Sequence, residues 1–269
     1  MEKNKKIINK ITSYIQSNFN KQFNHHKQKI LIEDLLDAIL YMLKHNTSYR
    51  ETAKIKGIYY NSIYYFHMKL IKFNVIEHIF KYYVNQYKTV VNNNYIYYTD
   101  STLISNKLGI DNLGYNPQLN KHKSNKISLI IDDYNVPIDV ILCKSNTHDA
   151  KILDAHIDNI QKIPNMINTN NIIIGDAAYD SNKLRFKCKQ LKIGNIYTPK
   201  NKRNSKNIKK ISANEIMLIT KRIKIEHTFA FIKKFKRIQQ RYDKYINSYK
   251  SFVYLAVFLM FMKNTNVIW

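Results

Sequence analysis

From Ile30 to Leu43 the apolar residues Leu31, Leu35, Leu36, Ile39, Leu40 and Leu43 recur at helical spacing, so the pattern predicts an amphipathic helix. Ser48 and Glu51 then carry the spacing of a capping box, which predicts a short helix to about Ile55, with Gly57 as the turn that follows. Asn61 or Ser62 is placed to cap a third helix. In it Ile63, Phe66, Leu70 and Phe73 face inward, while Tyr64, Tyr65, Lys69 and Lys72 stay largely outside. Three helices with a tight turn predict a helix-turn-helix, although a plain helical bundle without nucleic-acid contact satisfies the same pattern.

Beyond a linker near Asn92 to Asn94 the hydrophobic period changes. Tyr95 to Thr99 is aromatic and β-branched and reads as a strand ending at Asp100. Lys126 to Ile131 and Val136 to Cys143 read as two more strands, joined by the turn Asp132 to Asn135 as an antiparallel hairpin. Thr147 and Asp149 open a helix reaching about Gln161. Ile172 to Gly175 then makes a short buried strand ending at Asp176, followed by a helix over Asn182 to Lys192 and a strand over Asn195 to Tyr197. Lys200 to Lys210 is a lysine- and asparagine-rich loop. Ser212 and Glu215 form a second capping box, predicting a long helix to about Gln240, and a last apolar helix spans roughly Ser248 to Lys263.

This order of strands and helices is that of a ribonuclease H-like fold. The expected class is α/β: a mixed sheet flanked by helices, preceded by a small all-α helix-turn-helix domain. The division falls between residues 1–90, helical, and residues 95–269, which carry the sheet.

Composition narrows the partners. The chain has 269 residues and is 45% hydrophobic, enough to bury a substantial core. Lys and Arg number 44 against 19 Asp and Glu, a formal charge of +25 whose field draws polyanions before any specific contact forms. Nucleic acid is the first partner implied, though ribosomal and membrane-surface proteins share this charge. Cys143 and Cys188 have no spacing of a zinc site or disulfide scaffold, which fits a reducing compartment. The longest apolar stretch, Phe252 to Met262, falls short of the ~20 residues of a membrane helix, and the charged N-terminus lacks a signal-peptide core. A soluble, intracellular protein that is not secreted is the expectation, with no membrane partner.

Candidate chemistry sits at three carboxylates. Asp100 and Asp176 each close a strand-like run, and in such sheets residues just past strand ends converge where ligands bind. Arg222, Glu226 and Lys233 lie at offsets that place them within roughly 60° of one another on one helical face. Oxygen ligands of this kind suit Mg²⁺, and phosphodiester cleavage is served by two such ions ~4 Å apart, one activating the attacking oxygen and one the leaving oxygen. Each residue also has a plainer reading. A strand-closing Asp is commonly a turn residue, as Asp132, Asp133 and Asp180 are taken to be, and the helical face is equally a solvated salt-bridge ladder.

At these residues the chain resembles the DDE transposases of bacterial insertion sequences, the group sorted under insertion-sequence families four and five. Tyr98-Thr99-Asp100-Ser101-Thr102 is similar to the family's first-aspartate motif, Lys121 to Leu153 to the segment that follows it, and Gly175-Asp176-Ala177-Ala178-Tyr179-Asp180-Ser181 to the second. The third motif runs Tyr, two residues, Arg, three residues, Glu, six residues, Lys. Arg222, Glu226 and Lys233 satisfy it, while Ile219 stands at the tyrosine position, which removes one expected polar contact to DNA.

The resemblance implies that Asp100, Asp176 and Glu226 bind two Mg²⁺ ions, with Mn²⁺ as a possible substitute, and that Arg222 and Lys233 hold phosphates. It implies cleavage of double-stranded DNA at terminal inverted repeats, strand transfer into a target site, and a homodimer in the synaptic complex. The N-terminal helices would recognise the repeats, with Tyr64, Lys69 and Lys72 as contacts, and Lys200 to Lys210 would touch DNA backbone. Two other functions keep the same fold: a domesticated DNA-binding protein, and a structure-specific nuclease.

Overall fold

The computed structural model describes residues 2–23, 30–91, 95–115, 122–199 and 220–265. The expected linker at 92–94, the basic loop from Lys200 to Lys210, the Ser212/Glu215 capping box and Ile219 lie outside the described residues.

The N-terminal region is helical: α1 (Glu2–Asn18), α2 (Asn20–Phe23), α3 (Ile32–His45), α4 (Tyr49–Lys56), α5 (Tyr60–Lys72) and α6 (Val75–Val90). In α3 the predicted stripe is buried, save Leu31 at the cap, and Asn46 ends the helix in the left-handed conformation at φ 59°. The capping box opens α4 as expected, with Glu51 N–H donating to Ser48 Oγ at 3.1 Å and Ser48 N–H to Glu51 Oε2 at 3.3 Å. Gly57 closes it at φ 65°. α5 starts earlier than the sequence suggests: Ser62 and Ile63 N–H bond to the Tyr59 carbonyl, so Asn61 and Ser62 lie inside the first turn and cap nothing. Ile63, Phe66 and Leu70 are buried, and Tyr64 and Tyr65 are exposed. α1 and α6, which the periodic reading did not single out, bury Ile8, Ile11, Ile15, Ile76, Ile79, Phe80 and Val84.

The sheet is built around β1 (Ile96–Asn106). β3 (Lys123–Asp132) pairs antiparallel along β1, from Tyr97↔Asp132 to Ser105↔Ser124, and β4 (Pro137–Lys144) pairs antiparallel with β3. β2 (Gly114–Tyr115) adds a short pairing to β3. The predicted hairpin is present, with Asn135 N–H donating to the Asp132 carbonyl at 3.0 Å. After α7 (Asp149–Ile160), β5 (Ile172–Ile174) runs parallel to β1, and after α8 (Asn182–Gln190), β6 (Asn195–Tyr197) runs parallel to β5.

Two further expectations are corrected. The first strand does not end at Asp100. It continues to Asn106, because Ser101 to Ser105 go on pairing with β3, so Asp100 lies within the strand. The long helix to Gln240 is also interrupted. α9 (Ile223–Ile232) gives way at Phe235, in extended conformation, to the short α10 (Lys236–Gln239) and then β7 (Gln240–Arg241), which pairs parallel with Ser105 and Asn106. The reason lies in Arg241. Its fully buried guanidinium donates to the Asp111 and Lys244 carbonyls, to Asp111 Oδ1 and to Asn125 Oδ1, bonds that a continuing helix would forfeit.

α11 (Ile246–Asn264) is buried nearly all round from Phe252 to Met262, packing against α5, α6, α9 and β4. Its apolar run is therefore a core helix, and no helix among the described residues is long and apolar enough to cross a membrane. One continuous cluster of buried side chains joins the N-terminal helices to the sheet.

Candidate active site

Side chains alternate along β1, so Tyr98, Asp100 and Thr102 share one face and Tyr97, Thr99 and Ser101 the other. β3 occupies one edge of β1 throughout. On the other edge β5 pairs only with Ile96 to Tyr98 and β7 only with Ser105 and Asn106. Between them, residues 99–104 have no strand neighbour on that edge among the described residues, and Asp100 sits in that gap.

The parallel register sets the second carboxylate. Ile174 pairs with Tyr98, and Asp176 follows Ile174 by the same two residues as Asp100 follows Tyr98. Gly175 makes the approach possible: a Cβ there would meet the Tyr179 ring at 3.0 Å and Thr99 Cγ2 at 3.2 Å. Asp176 Oδ1 accepts from Ala178 N–H at 2.8 Å, and Asp100 Oδ1 accepts from Ser101 N–H at 2.7 Å. One oxygen of each aspartate is thereby anchored to backbone. The other two converge on one cation, with Arg222 Nη2 3.6 Å from Asp100 Oδ2 and Arg222 Nη1 3.9 Å from Asp176 Oδ2.

α9 covers this face of β1 with three basic residues. Lys224 Nζ donates to Asp133 Oδ1 at 2.5 Å, an oxygen that also accepts from Tyr98 Oη at 2.8 Å. Arg222 meets the aspartates, and Lys233 Nζ donates to Thr102 Oγ1 at 2.5 Å. Arg222 and Lys233 are the residues bounding α9, both with right-handed helical dihedrals, so the interruption falls after Lys233.

Burial raises the Asp100 carboxyl above the ordinary carboxylate value; Asp176 and Asp149 add to that, against the Ser101 N–H and Arg222. Burial likewise lowers the Lys233 ammonium. At Asp133 burial pushes upward too, but the bonds from Lys224 and Tyr98 prevail and hold it below the usual range. Asp133 thus does more than turn the chain.

Asp100 and Asp176 are brought together; Glu226 is not brought onto them. It is exposed on α9, one turn beyond Arg222, without a side-chain partner among the described residues. Among those residues no group of three His, Cys, Asp or Glu is close enough to hold a metal ion. The two converging Oδ2 atoms nonetheless fit a hard divalent cation, since they are oxygen donors, held by their partner oxygens, and already directed at a positive charge.

The opposite face carries residues that sequence reasoning did not select. Ser101 Oγ donates to Asp149 Oδ1 at 2.9 Å, and Lys126 Nζ to the same atom at 3.0 Å. The available signal was polar Lys126 and Ser128 interrupting an apolar strand.

The predicted DNA contacts lie on α5. Tyr64 packs edge-on against Tyr49 and Tyr65, at 5.4 and 5.5 Å between ring centroids. Lys69 Nζ rests 5.9 Å from the Phe23 ring centre and Lys72 Nζ 5.6 Å from that of Phe73, both near the C-terminal end of the helix. At its N-terminal end a shallow groove is lined by Arg50, Lys54, Gly57, Tyr59 and Tyr60, with Arg50 stacked over Tyr60 at 5.5 Å.

Residues 93–261 match the family described as "Transposase DDE domain". The fold is similar to the piggyBac transposase in its synaptic complex with hairpin DNA, with a TM-score of 0.52 at 9% identity over 97% of this chain and 73% of that one. The Mos1 strand transfer complex aligns at a TM-score of 0.34 and 10% identity, over 94% of this chain and 84% of that one. No curated protein is similar in sequence.

Proposed function

We propose, on the premise that the chain belongs to the transposase DDE domain family, that it cuts double-stranded DNA at the terminal inverted repeats of a mobile element and joins the freed 3′ ends to target DNA. The observation that carries this reading is the convergence of Asp100 Oδ2 and Asp176 Oδ2 from adjacent parallel strands. The spacing of Arg222, Glu226 and Lys233 supports assignment to insertion-sequence families four and five.

In this reading Asp100, Asp176 and Glu226 would hold two Mg²⁺ ions, or Mn²⁺ in their place. Such ions supply an activated attacking oxygen and a stabilised leaving oxygen at phosphorus. The protein's own contribution is placement. Backbone N–H groups fix Asp100 and Asp176, Glu226 lies exposed on α9 one turn beyond Arg222 and would have to turn toward the pair, and Arg222 and Lys233 would offer cationic donors to the phosphates flanking the scissile bond. Residues 1–90 would recognise the repeats and residues 95–269 carry the chemistry, with the chain working as a homodimer on DNA inside the cell. The charge of +25 favours the encounter.

The test is Mg²⁺-dependent nicking of the element's own end DNA. Asp176→Asn is expected to abolish nicking while leaving end binding intact, and equal cutting by both proteins would overturn the reading. Transfer of a labelled 3′ end separates a transposase from a nuclease of the same fold, which would cleave without joining.

A further inference from the structure

A second chain of polar residues runs beneath the sheet and ends at the backbone of Asp100. Asp139 on β4, His156 on α7 and Ser128 on β3 are all buried. His156 Nδ1 lies 2.6 Å from Asp139 Oδ2, and His156 Nε2 lies 2.9 Å from Ser128 Oγ. Ser128 Oγ in turn donates to the Asp100 carbonyl oxygen at 3.1 Å. Asn159 Nδ2 donates to the same Asp139 oxygen at 3.0 Å.

Hydrogen counting gives this chain a direction. A carbonyl only accepts, so the one hydroxyl proton of Ser128 goes to Asp100, and His156 Nε2 must carry the proton that Ser128 accepts. The Nδ1 contact holds a further proton between ring and carboxylate, which fixes the ring plane. Ile152, Leu153, Ile157 and Ile160 of α7 are buried in the same layer. Apolar side chains of similar volume would serve packing at least as well as a buried polar chain. What the polar chain adds is a bond to β1 at the residue whose other strand edge has no neighbour among the described residues.

We propose that His156 is a positioning residue: held by Asp139, it orients Ser128 onto the Asp100 carbonyl and so fixes the stretch of β1 from which the Asp100 carboxylate leaves the sheet. This rests on the cation-binding role proposed above for Asp100. Partners of this kind typically change metal affinity by about 10- to 100-fold.

The test uses the full chain without DNA, titrated with Mn²⁺ and followed by loss of the free-ion electron paramagnetic resonance signal. Thermal melting checks the fold, and binding of element-end DNA without divalent ion checks the remaining surface. Ser128→Ala and His156→Ala are expected to weaken Mn²⁺ binding about tenfold or more, with DNA binding unchanged. Imidazole is expected to restore His156→Ala, because Asp139, the partner of the ring, also lines a cavity of about 140 Å³ together with Asn159, Lys81 and Lys162.

Wild-type Mn²⁺ affinity in folded Ser128→Ala, alongside loss of binding in Asp100→Asn, overturns the positioning role and leaves the proposed function standing. If His156→Ala does not fold, Ser128→Ala decides the matter alone. Absence of Mn²⁺ binding to the wild type, or undiminished binding in Asp100→Asn, overturns the proposed function and this inference with it.

Discussion

Asp176 stands level with Asp100, two residues beyond the Ile174↔Tyr98 pair of a parallel ladder, and the outward oxygens of both face the Arg222 guanidinium. Two like charges at one point of a sheet are costly without a cation between them. That shared electrostatics makes the pair testable one partner at a time.

Arg222→Ala is expected to reduce nicking by about 10²-fold, the scale of losing one donor to a transition-state oxygen. Mn²⁺ affinity should hold or rise, since the guanidinium no longer competes for the two Oδ2 atoms. Weaker Mn²⁺ binding in this variant would show that Arg222 supports the cation site instead of serving the phosphate.

Asp100→Asn is expected to stabilise the fold at neutral pH. Burial raises the Asp100 carboxyl, so between the unfolded value and the raised folded one the native state binds more protons than the unfolded chain, and stability falls as pH rises through that window. Removing the charge should raise stability at pH 7, and the gain should vanish below about pH 3.9. Urea unfolding of both proteins at the two pH values measures it; an equal gain at both would assign it to packing.

His67 predicts an acid limit. The ring is fully buried, lies 2.6 Å from Tyr49 Oη at Nδ1, packs tilted against Phe252 with 4.7 Å between ring centroids, and is pushed down to about 3 by burial. The unfolded chain takes up a proton below about pH 6.5 that the native state refuses. This residue should therefore remove about 1.4 kcal/mol of stability per pH unit between roughly 6.5 and 3. His67→Gln should flatten that slope by one proton, and an unchanged slope would refute the assignment.

On the N-terminal helices, Lys69→Ala with Lys72→Ala is set against Arg50→Ala with Lys54→Ala. Removing one cation that neutralises a phosphate should lower the salt dependence of end binding by about 0.9. A recognition helix reads DNA from its N-terminal end. There Arg50 and Lys54 line the groove with Tyr59 and Tyr60, whereas Lys69 and Lys72 lean over phenylalanines. The Arg50/Lys54 pair should give the larger change, and the reverse order would place the DNA along the C-terminal half of α5.

Much of this was legible from the chain. The Ser48/Glu51 box, the Gly57 turn, the hairpin over Asp132 to Asn135 and the core stripe of α3 depend on neighbours within a turn or two, and all are found. The misplaced ends of the first strand and of the long helix share one cause. Nothing near Asp100 says that its strand continues, since that depends on pairing with Asn125 to Leu129, and nothing near Gln240 says that the helix stops, since that depends on where Arg241 finds Asp111 and Asn125.

By itself the sequence determined most of the order of the elements from Ile32 to Tyr197, the strong positive charge, and the residue types at Asp100, Asp176, Arg222, Glu226 and Lys233. Only the tertiary structure decided that Asp176 lands beside Asp100, that Arg222 bridges them, that Glu226 stays outside the pair, and that His156 reaches the same strand from below. Local periodicity is set by contacts a few residues apart, whereas register and burial are set by contacts between residues remote in the chain, which no short window contains.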